Sequence, residues 1–518
     1  MVMARTHELR SFSVRDFGGG LNVRQNPQIL ASSAKFRNCL TLSRNTAHPK
    51  TGGVSKRFDV ATVNSSTIGS SVTCIGGVQF RHSNGTDYNI AAWNDGTVRR
   101  LNSDGTTTTL KSGLSTATQA SFAQYNDLLI YTDRVNAPQS YDGTTWQALA
   151  GSPPSTGGPV IVHGNRALML DATNTRRLSW SKLSDPENWT ASSDAGSMVV
   201  SGPVGSPLVG LLRMTNEVLL GHRDYVTRLQ GTSPSTYALT NAVPAQVSTG
   251  VISPLAMIFS NNDARWISQR GIHSLGTTQD FGDLLEKFTS ERIDPYFTAN
   301  TDYTISLNQL SKSCACYDSQ NNRDLFAVDT DGDGKNDLIF VRDVFTGAFS
   351  TWPSMSCASL WPAHNGAAGY EVWMGGYDGF VRRLNVDAST NAIDARFNHL
   401  SDLGDSTWAK SLRHLYVHLR EEGVGTLTVT TNIDYGASGG QTYSISLLGN
   451  SAVLGSTFVL GTSTLGNRSQ IIKRLNVSGV GVYWEIGFGN SATGQNFTVY
   501  SYDASWRRRR FVGRASSN

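Results

Sequence analysis

From about Ser71 the chain alternates short apolar runs with turns rich in Gly, Asn and Asp, the period-two pattern of half-buried β-strands. In "GGVQFRHSNGTDYNIAAWNDGTVRRLNSDGTTTTL" one Asn-Gly and two Asp-Gly pairs separate the runs. Such pairs supply the positive φ angles that tight hairpins need. The texture returns in "DLLIYTDRVNAPQSYDGTTWQAL", "GNRALMLDATNTRRLSWSK", "NEVLLGHRDYVTRLQG", "PLAMIFSNNDARWISQRGIHSLG" and "YEVWMGGYDGFVRRLN". Hairpins recurring every ~40–55 residues predict radially repeated four-stranded sheets. The expectation is an all-β chain whose residues 61–387 form a β-propeller of about six or seven blades. Helical patterning is sparse, and its clearest instance, "GDLLEKFTSERIDPYF" from Gly282 to Phe297, predicts a helix.

The flanks read differently. Residues 1–60 lack dense strand signals and predict an extended N-terminal arm with at most one short helix near Gln28 to Cys39. Such an arm gains order only by lying on something else. After Leu384 the runs alternate cleanly again, with fewer aromatics and more Gly/Ser linkers, predicting a β-sandwich over residues 388–518. One internal echo links the ends of the strand-rich region. "DGTVRRLN" (Asp95 to Asn102) and "DGFVRRLN" (Asp378 to Asn385) agree at seven of eight positions, as expected if the first and last blades meet in space.

Composition narrows the picture. The 518 residues include 51 glycines, and the net charge of +4 is too small to make the whole chain a nucleic-acid binder. The five cysteines (Cys39, Cys74, Cys314, Cys316 and Cys357) have neither the even count of a disulfide framework nor paired zinc spacing, and Cys314 and Cys316, on one face of a strand in "SCAC", are expected to be buried free thiols. "MVMARTHELRSFSV" contains no apolar core of a signal peptide, and no stretch is apolar enough to predict a membrane span. "DFG" at Asp16 and "HRD" at His222 stand in the reverse of kinase order, with no Asn five residues after Asp224. Nucleophile-elbow and HExxH motifs are absent, and the chain is expected not to be an enzyme.

Two local clusters carry candidate chemistry. In "DTDGDGKNDL", Asp329, Asp331, Asp333 and Asp337 take positions 1, 3, 5 and 9 of a calcium-type loop, with the Lys335 carbonyl at 7. Position 12 is Phe340 and both flanks are strand-like, which excludes an EF-hand. The DxDxDGxxD hairpin resembles the calcium loops of integrin-type propeller repeats, implying a structural Ca2+. Mutual repulsion of unpaired acids argues in the same direction. The second cluster is "WRRRRFVGR", where Arg507, Arg508, Arg509, Arg510 and Arg514 are candidate contacts to DNA phosphates or an acidic partner.

Several stretches in order resemble a known family. "DFGGGLNVRQNPQIL" followed by "GGVSKRF" is similar to the N-terminal arm of phage virion proteins, although no proline follows Lys56-Arg57 here. "YNDLLIYTDRVNAPQSYDGTTWQALAGSPP", "HGNRALML", "RRLSWSKLSDPENW" and "DARWISQRGIHSLGTTQDFGDLLEKFTSERIDPYF" resemble its successive blades. The family is the tail nozzle, or packaged-DNA-stabilisation, protein of short-tailed bacteriophages, and the resemblance spans most of residues 8–385. It implies a non-enzymatic virion protein, made in the host cytoplasm, that assembles as a ring, usually a hexamer. Its implied partners are portal and adaptor proteins, tail fibre or tail tip proteins, and the packaged double-stranded DNA in the channel. Two readings from other classes are a receptor-binding tail protein with a lectin-like C-terminal module bearing a shallow aromatic sugar site, and a propeller hydrolase or lyase acting on polysaccharide.

Overall fold

The hairpin glycines fall where the chain reverses. In the computed structural model Gly96 (φ 78°) and Gly379 (φ 76°) occupy the left-handed region that glycine enters without strain. A Cβ at Gly96 would also run into the Leu114 carbonyl. The structure describes residues 8–48, 53–190, 194–201, 205–241, 249–277, 284–298, 305–364, 369–386, 391–422, 425–436, 438–447 and 470–511.

Among the described residues, six four-stranded antiparallel sheets follow in chain order, within residues 74–111, 121–148, 157–199, 208–241, 257–288 and 359–386. Each of the first five is a meander of consecutive strands, so every pairing is local in sequence. The last sheet has three strands from 359–386 and takes its fourth from Asp59–Thr62, so the start of the propeller completes its end. This is a β-propeller arrangement of six four-stranded blades. A further antiparallel meander, Cys314–Asp318, Arg323–Val328 and Leu338–Asp343, lies in sequence between the fifth and last. Its first strand neighbours the first strands of both.

The blades are held by apolar clusters that span neighbouring sheets. Ile90, Leu129, Tyr131 and Tyr141 join the first and second blades. Cys74, Ala91 and Trp93 join the first to Trp361, Trp373 and Val381 of the last. Asn64, fully buried, clamps that closure: its Oδ1 accepts the Val381 N–H at 2.8 Å and its Nδ2 donates to the Gly379 carbonyl at 2.9 Å. The echo hairpins thus occupy corresponding places in adjoining blades. Val98–Leu101 and Val381–Val386 are both third strands, and Asp95–Arg99 and Asp378–Arg382 form matching ion pairs at 3.7 and 2.5 Å.

The chain divides into two compact units. Residues 60–344 and 353–386 make the propeller unit, and residues 1–59, 345–352 and 387–518 make a second, discontinuous one. These boundaries differ from the expected arm 1–60, propeller 61–387 and sandwich 388–518. The N-terminal segment contributes strands to the same unit as the C-terminal residues. Arg10–Val14 pairs with Thr498–Phe511 (Arg10 opposite Trp506), and Leu42–Arg44 pairs with Ala395–Ser401. The strand Phe349–Pro353 runs parallel to Leu42–Arg44, and the Trp352 Nε1–H and the Ser350 hydroxyl both donate to the Thr46 carbonyl, at 2.8 and 3.0 Å. The order expected from an outside surface therefore comes from the chain's own distant segments. The short helix falls at Pro27–Ser32, with Asn26 as its cap.

The discontinuous unit has two sheets sharing one core. One is ordered Gln470–Asn476, Trp408–Arg420, Thr498–Phe511, Val54–Lys56, Thr46–Ala47. The other includes Leu42–Arg44, Ala395–Ser401, Trp484–Asn490, Thr426–Ile433 and Ser438–Ser446 in that order. Leu415, Val417 and Tyr502 of the first sheet share a buried cluster with Phe397, Val429, Trp484 and Ile486 of the second. The helix expected over Gly282 to Phe297 does not form. Leu284–Phe288 is the edge strand of the fifth blade, and Glu291–Phe297 is a 3-10 segment holding Pro295. Pairing to the open edge of Gly271–Thr277 satisfies the backbone there, and Pro295 lacks the N–H that a continuing helix would use.

Candidate functional site

The acidic loop is a hairpin connection in the meander, closed by the pairing of Val328 with Leu338. Its carboxylates are used first by the loop itself. Asp329, 1% exposed, accepts the N–H groups of Asp331 (3.0 Å) and Gly332 (2.7 Å) on one oxygen and Gly334 (2.7 Å) on the other. Asp331 accepts the Asp333 N–H at 3.2 Å, and Asp333 accepts that of Lys335 at 2.8 Å. Oxygens of Asp329, Asp331 and Asp333 lie within 4.8 Å of one another. Asp337 stands apart from this trio, its carboxylate taken by the Thr330 N–H (2.9 Å) and hydroxyl (2.6 Å). Lys335 brings its ammonium within 3.8 Å of Asp333, an exposed and therefore weak pair.

These bonds change the electrostatic argument. Amide N–H dipoles offset part of the repulsion that otherwise calls for a cation. The three grouped acids still offer oxygen ligands of the hard type that Ca2+ takes, but fewer than the six to eight it ordinarily gathers, leaving the rest to water. The loop is also tied down by a residue the sequence reading passed over. Asn336, 1% exposed, donates to the Lys312 and Cys357 carbonyls at 3.0 and 2.9 Å, and its N–H reaches the Tyr377 hydroxyl at 3.0 Å. Burial raises the Tyr377 phenol's pKa, so it stays neutral there. The only available signal was an Asn inside an otherwise acidic turn. Cys314 and Cys316 are free and buried, as expected, and so are Cys39, Cys74 and Cys357.

The arginine run lies within the strand Thr498–Phe511, and strand alternation divides it. Arg508 pairs with Asp405 at 2.7 Å and stacks over Trp408 at 5.3 Å, so it is held within the unit. Arg507 and Arg509 are exposed. Beside them Trp506 is buried, with Arg10 and Lys410 each 5.8 Å from its ring. Burial lowers the Lys410 ammonium to about 8. The Arg510 side chain and Arg514 lie outside the described residues.

A cleft of about 480 Å³ is lined by both echo hairpins through Arg100 and Arg383, together with Asp87, Tyr88 and Trp373. Arg383 is 3.7 Å from Glu371, and Arg100 donates to Asn102 at 2.8 Å while lying over the Tyr88 ring. No helix among the described residues is long and apolar enough to cross a membrane.

No family model and no curated protein matches the chain. Among solved structures, the computationally designed Ika8 protein is similar over 63% of this chain and 99% of its own, at 13% identity and a TM-score of 0.37. The WD40 β-propeller domain of Doa1 is similar over 64% of this chain and 96% of its own, at 10% identity and a TM-score of 0.41. Neither likeness bears on function, and the propeller rests on the strand pairing above.

Proposed function

We propose that the chain is a structural virion protein of a short-tailed bacteriophage: a ring-forming tail nozzle that extends the portal and adaptor channel, retains packaged DNA and forms its exit path. The observation that carries this reading is the order of the family-like stretches. They run along a chain that pairs into a closed propeller, with the arm-like N-terminal stretch bound back into a second unit. A part that must stay rigid beside a pressurised genome gains from such closure, since a blade completed by the far end of the sequence cannot peel off at one terminus. In this reading exposed Arg507 and Arg509 face DNA phosphates or an acidic neighbour, and the acidic hairpin holds a structural Ca2+ that stiffens its meander. The reading assigns the chain no catalytic residue.

Native mass spectrometry of the purified full chain, alone and with portal–adaptor rings, tests the assembly. A closed ring, hexameric on the family expectation, is the predicted species. A chain that stays monomeric under both conditions and depolymerises host polysaccharide would overturn the proposal in favour of an enzyme.

A further inference from the structure

One face of the discontinuous unit carries a feature that strand building alone does not require. In the strand Trp484–Asn490, Trp484, Ile486 and Phe488 enter the core, which turns Glu485, Gly487 and Gly489 to the opposite face. Glycine inside a strand weakens it and marks a bulge, a bend or a close approach. The pairing on both sides is regular: Gly487 stands between Asn398 and Thr430, and Gly489 between Arg396 and Thr428. Neither glycine has a positive φ. Both admit a close approach: a Cβ at Gly487 would meet Thr430 Oγ1 and Asn398 Oδ1, and one at Gly489 would meet Arg396 Cγ and the Ala395 carbonyl. Beside Gly489 lies a trough of about 520 Å³, within the usual range of about 300–1,000 Å³ for ligand sites.

The walls of this trough are set in advance. The Glu485 carboxylate accepts the side-chain N–H groups of Asn398 and Asn432, each at 3.2 Å, and the Thr41 hydroxyl at 3.0 Å. With their nitrogens so engaged, both carboxamides aim their oxygens the other way. Asn398 Oδ1 stands 2.6 Å from where a Gly487 Cβ would lie, and Asn432 Oδ1 crowds the same place at Gly440. Thr430 Oγ1 also leans over Gly487. Thr428, Gln441 and Thr442 add further neutral polar groups. The two charges at the rim neutralise each other, Arg396 Nε donating to Asp394 at 2.7 Å. The lining is therefore rich in fixed acceptors, carries little net charge and has a single exposed apolar side chain, Leu42.

We propose that this trough binds a neutral saccharide, whose hydroxyl groups donate to the Asn398, Asn432 and Thr430 oxygens. A phosphate or carboxylate finds mainly acceptors there, and an apolar ligand finds only the Leu42 side chain to match. The site differs from a shallow aromatic sugar site, because Phe488, the one aromatic among its lining residues, is 1% exposed and belongs to the core. Without a stacking ring, each copy binds weakly, in the millimolar range of about 1–10 mM. The inference holds whether or not the chain forms a ring, though a ring would multiply the affinity through avidity.

Saturation-transfer NMR on the full chain tests it, with a panel of neutral oligosaccharides built on glucose, galactose, mannose and N-acetylglucosamine. Oligogalacturonate and pentalysine serve as charged comparators. At least one neutral oligosaccharide is expected to bind by about 10 mM. Gly489→Leu should weaken that binding at least ~10-fold by filling the floor, and Glu485→Gln by several-fold through freeing the carboxamides. Thr442→Ala, at an exposed wall position, provides a variant that leaves the fold intact and should weaken binding ~2- to 5-fold. Absence of binding across the neutral panel overturns the inference, as does preference for pentalysine or oligogalacturonate. Undiminished binding by a folded Gly489→Leu chain overturns it too. If that variant loses only self-assembly, the trough belongs to a neighbouring copy and the saccharide assignment is wrong.

Discussion

The propeller unit and the discontinuous unit are both all-β, yet the sequence specifies them in opposite ways. A blade such as residues 121–148 folds onto itself, each strand pairing with its immediate successor. In the discontinuous unit the central strand Thr498–Phe511 pairs with Arg10–Val14, Val54–Lys56 and Trp408–Arg420. Local pairing makes a blade nearly independent of the rest of the chain. Long-range pairing makes the second unit dependent on segments at both ends of the sequence, and its closure entropy is spent before any contact forms.

Removing residues 1–58 separates the two most sharply. It takes six strands from the discontinuous unit and none of the propeller unit's residues. Calorimetry on the truncated chain should show the discontinuous unit's unfolding transition lost entirely, with the propeller's transition present. Survival of both transitions would break the comparison.

Acid should act next most strongly. His399 in the discontinuous unit bridges the Tyr502 hydroxyl and the Arg37 carbonyl, at 2.6 Å each, and burial lowers its pKa from 6.5 to about 4. Between those values the unfolded chain binds more protons, so stability is full above pH 6.5 and falls as the pH drops towards 4. The loss should approach roughly 3 kcal/mol. His222 of the propeller is lowered by burial as well, so both transitions move in the same direction. His399→Gln should flatten the acid limb of the discontinuous unit alone, read by denaturant titration from pH 4 to 7.

The propeller's closure joins its first and last segments, and Asn64→Ala probes it. The substitution leaves the Val381 N–H without its buried partner, while the Gly379 carbonyl keeps the Ile68 N–H, and should cost about 1–3 kcal/mol, seen only in the propeller transition. An unchanged midpoint would mean that the closing strand contributes little.

Calcium should have the smallest effect. At about tenfold excess over its dissociation constant the ion would add roughly 1.4 kcal/mol to the propeller transition, and Asp331→Ala should abolish the gain. A titration giving neither heat nor a melting shift would leave the hairpin held by its amides alone.

What could be read from the sequence follows the same division. The blades were legible because turns rich in Gly, Asn and Asp, such as Asn84-Gly85, Asp95-Gly96, Asp104-Gly105 and Asp142-Gly143, lie within a few residues of the strands they join. The fourth strand of the last blade was not, because Asp59–Thr62 sits far from its partner and carries no turn signal pointing there. The N-terminal stretch read as an arm for the same reason: Leu42–Arg44 and Thr46–Ala47 are too short to show alternation, and only their partners define them as strands. At the acidic loop the ligand types and spacing were plain. The turn of Asp337 towards Thr330 and the anchoring by Asn336 depend on side-chain direction, which spacing does not encode. The arginine run was legible as charge, and its division into pinned Arg508 and exposed Arg507 and Arg509 required the strand and Asp405.

The ring assignment is tested most directly by a cryo-electron microscopy map of the intact particle whose genome encodes this chain. The predicted result is a closed ring of copies below the portal and adaptor, each showing the propeller and the discontinuous unit, with the DNA channel running through its centre. Absence of the chain from the particle, or its presence only as separate peripheral spikes, would contradict the assignment.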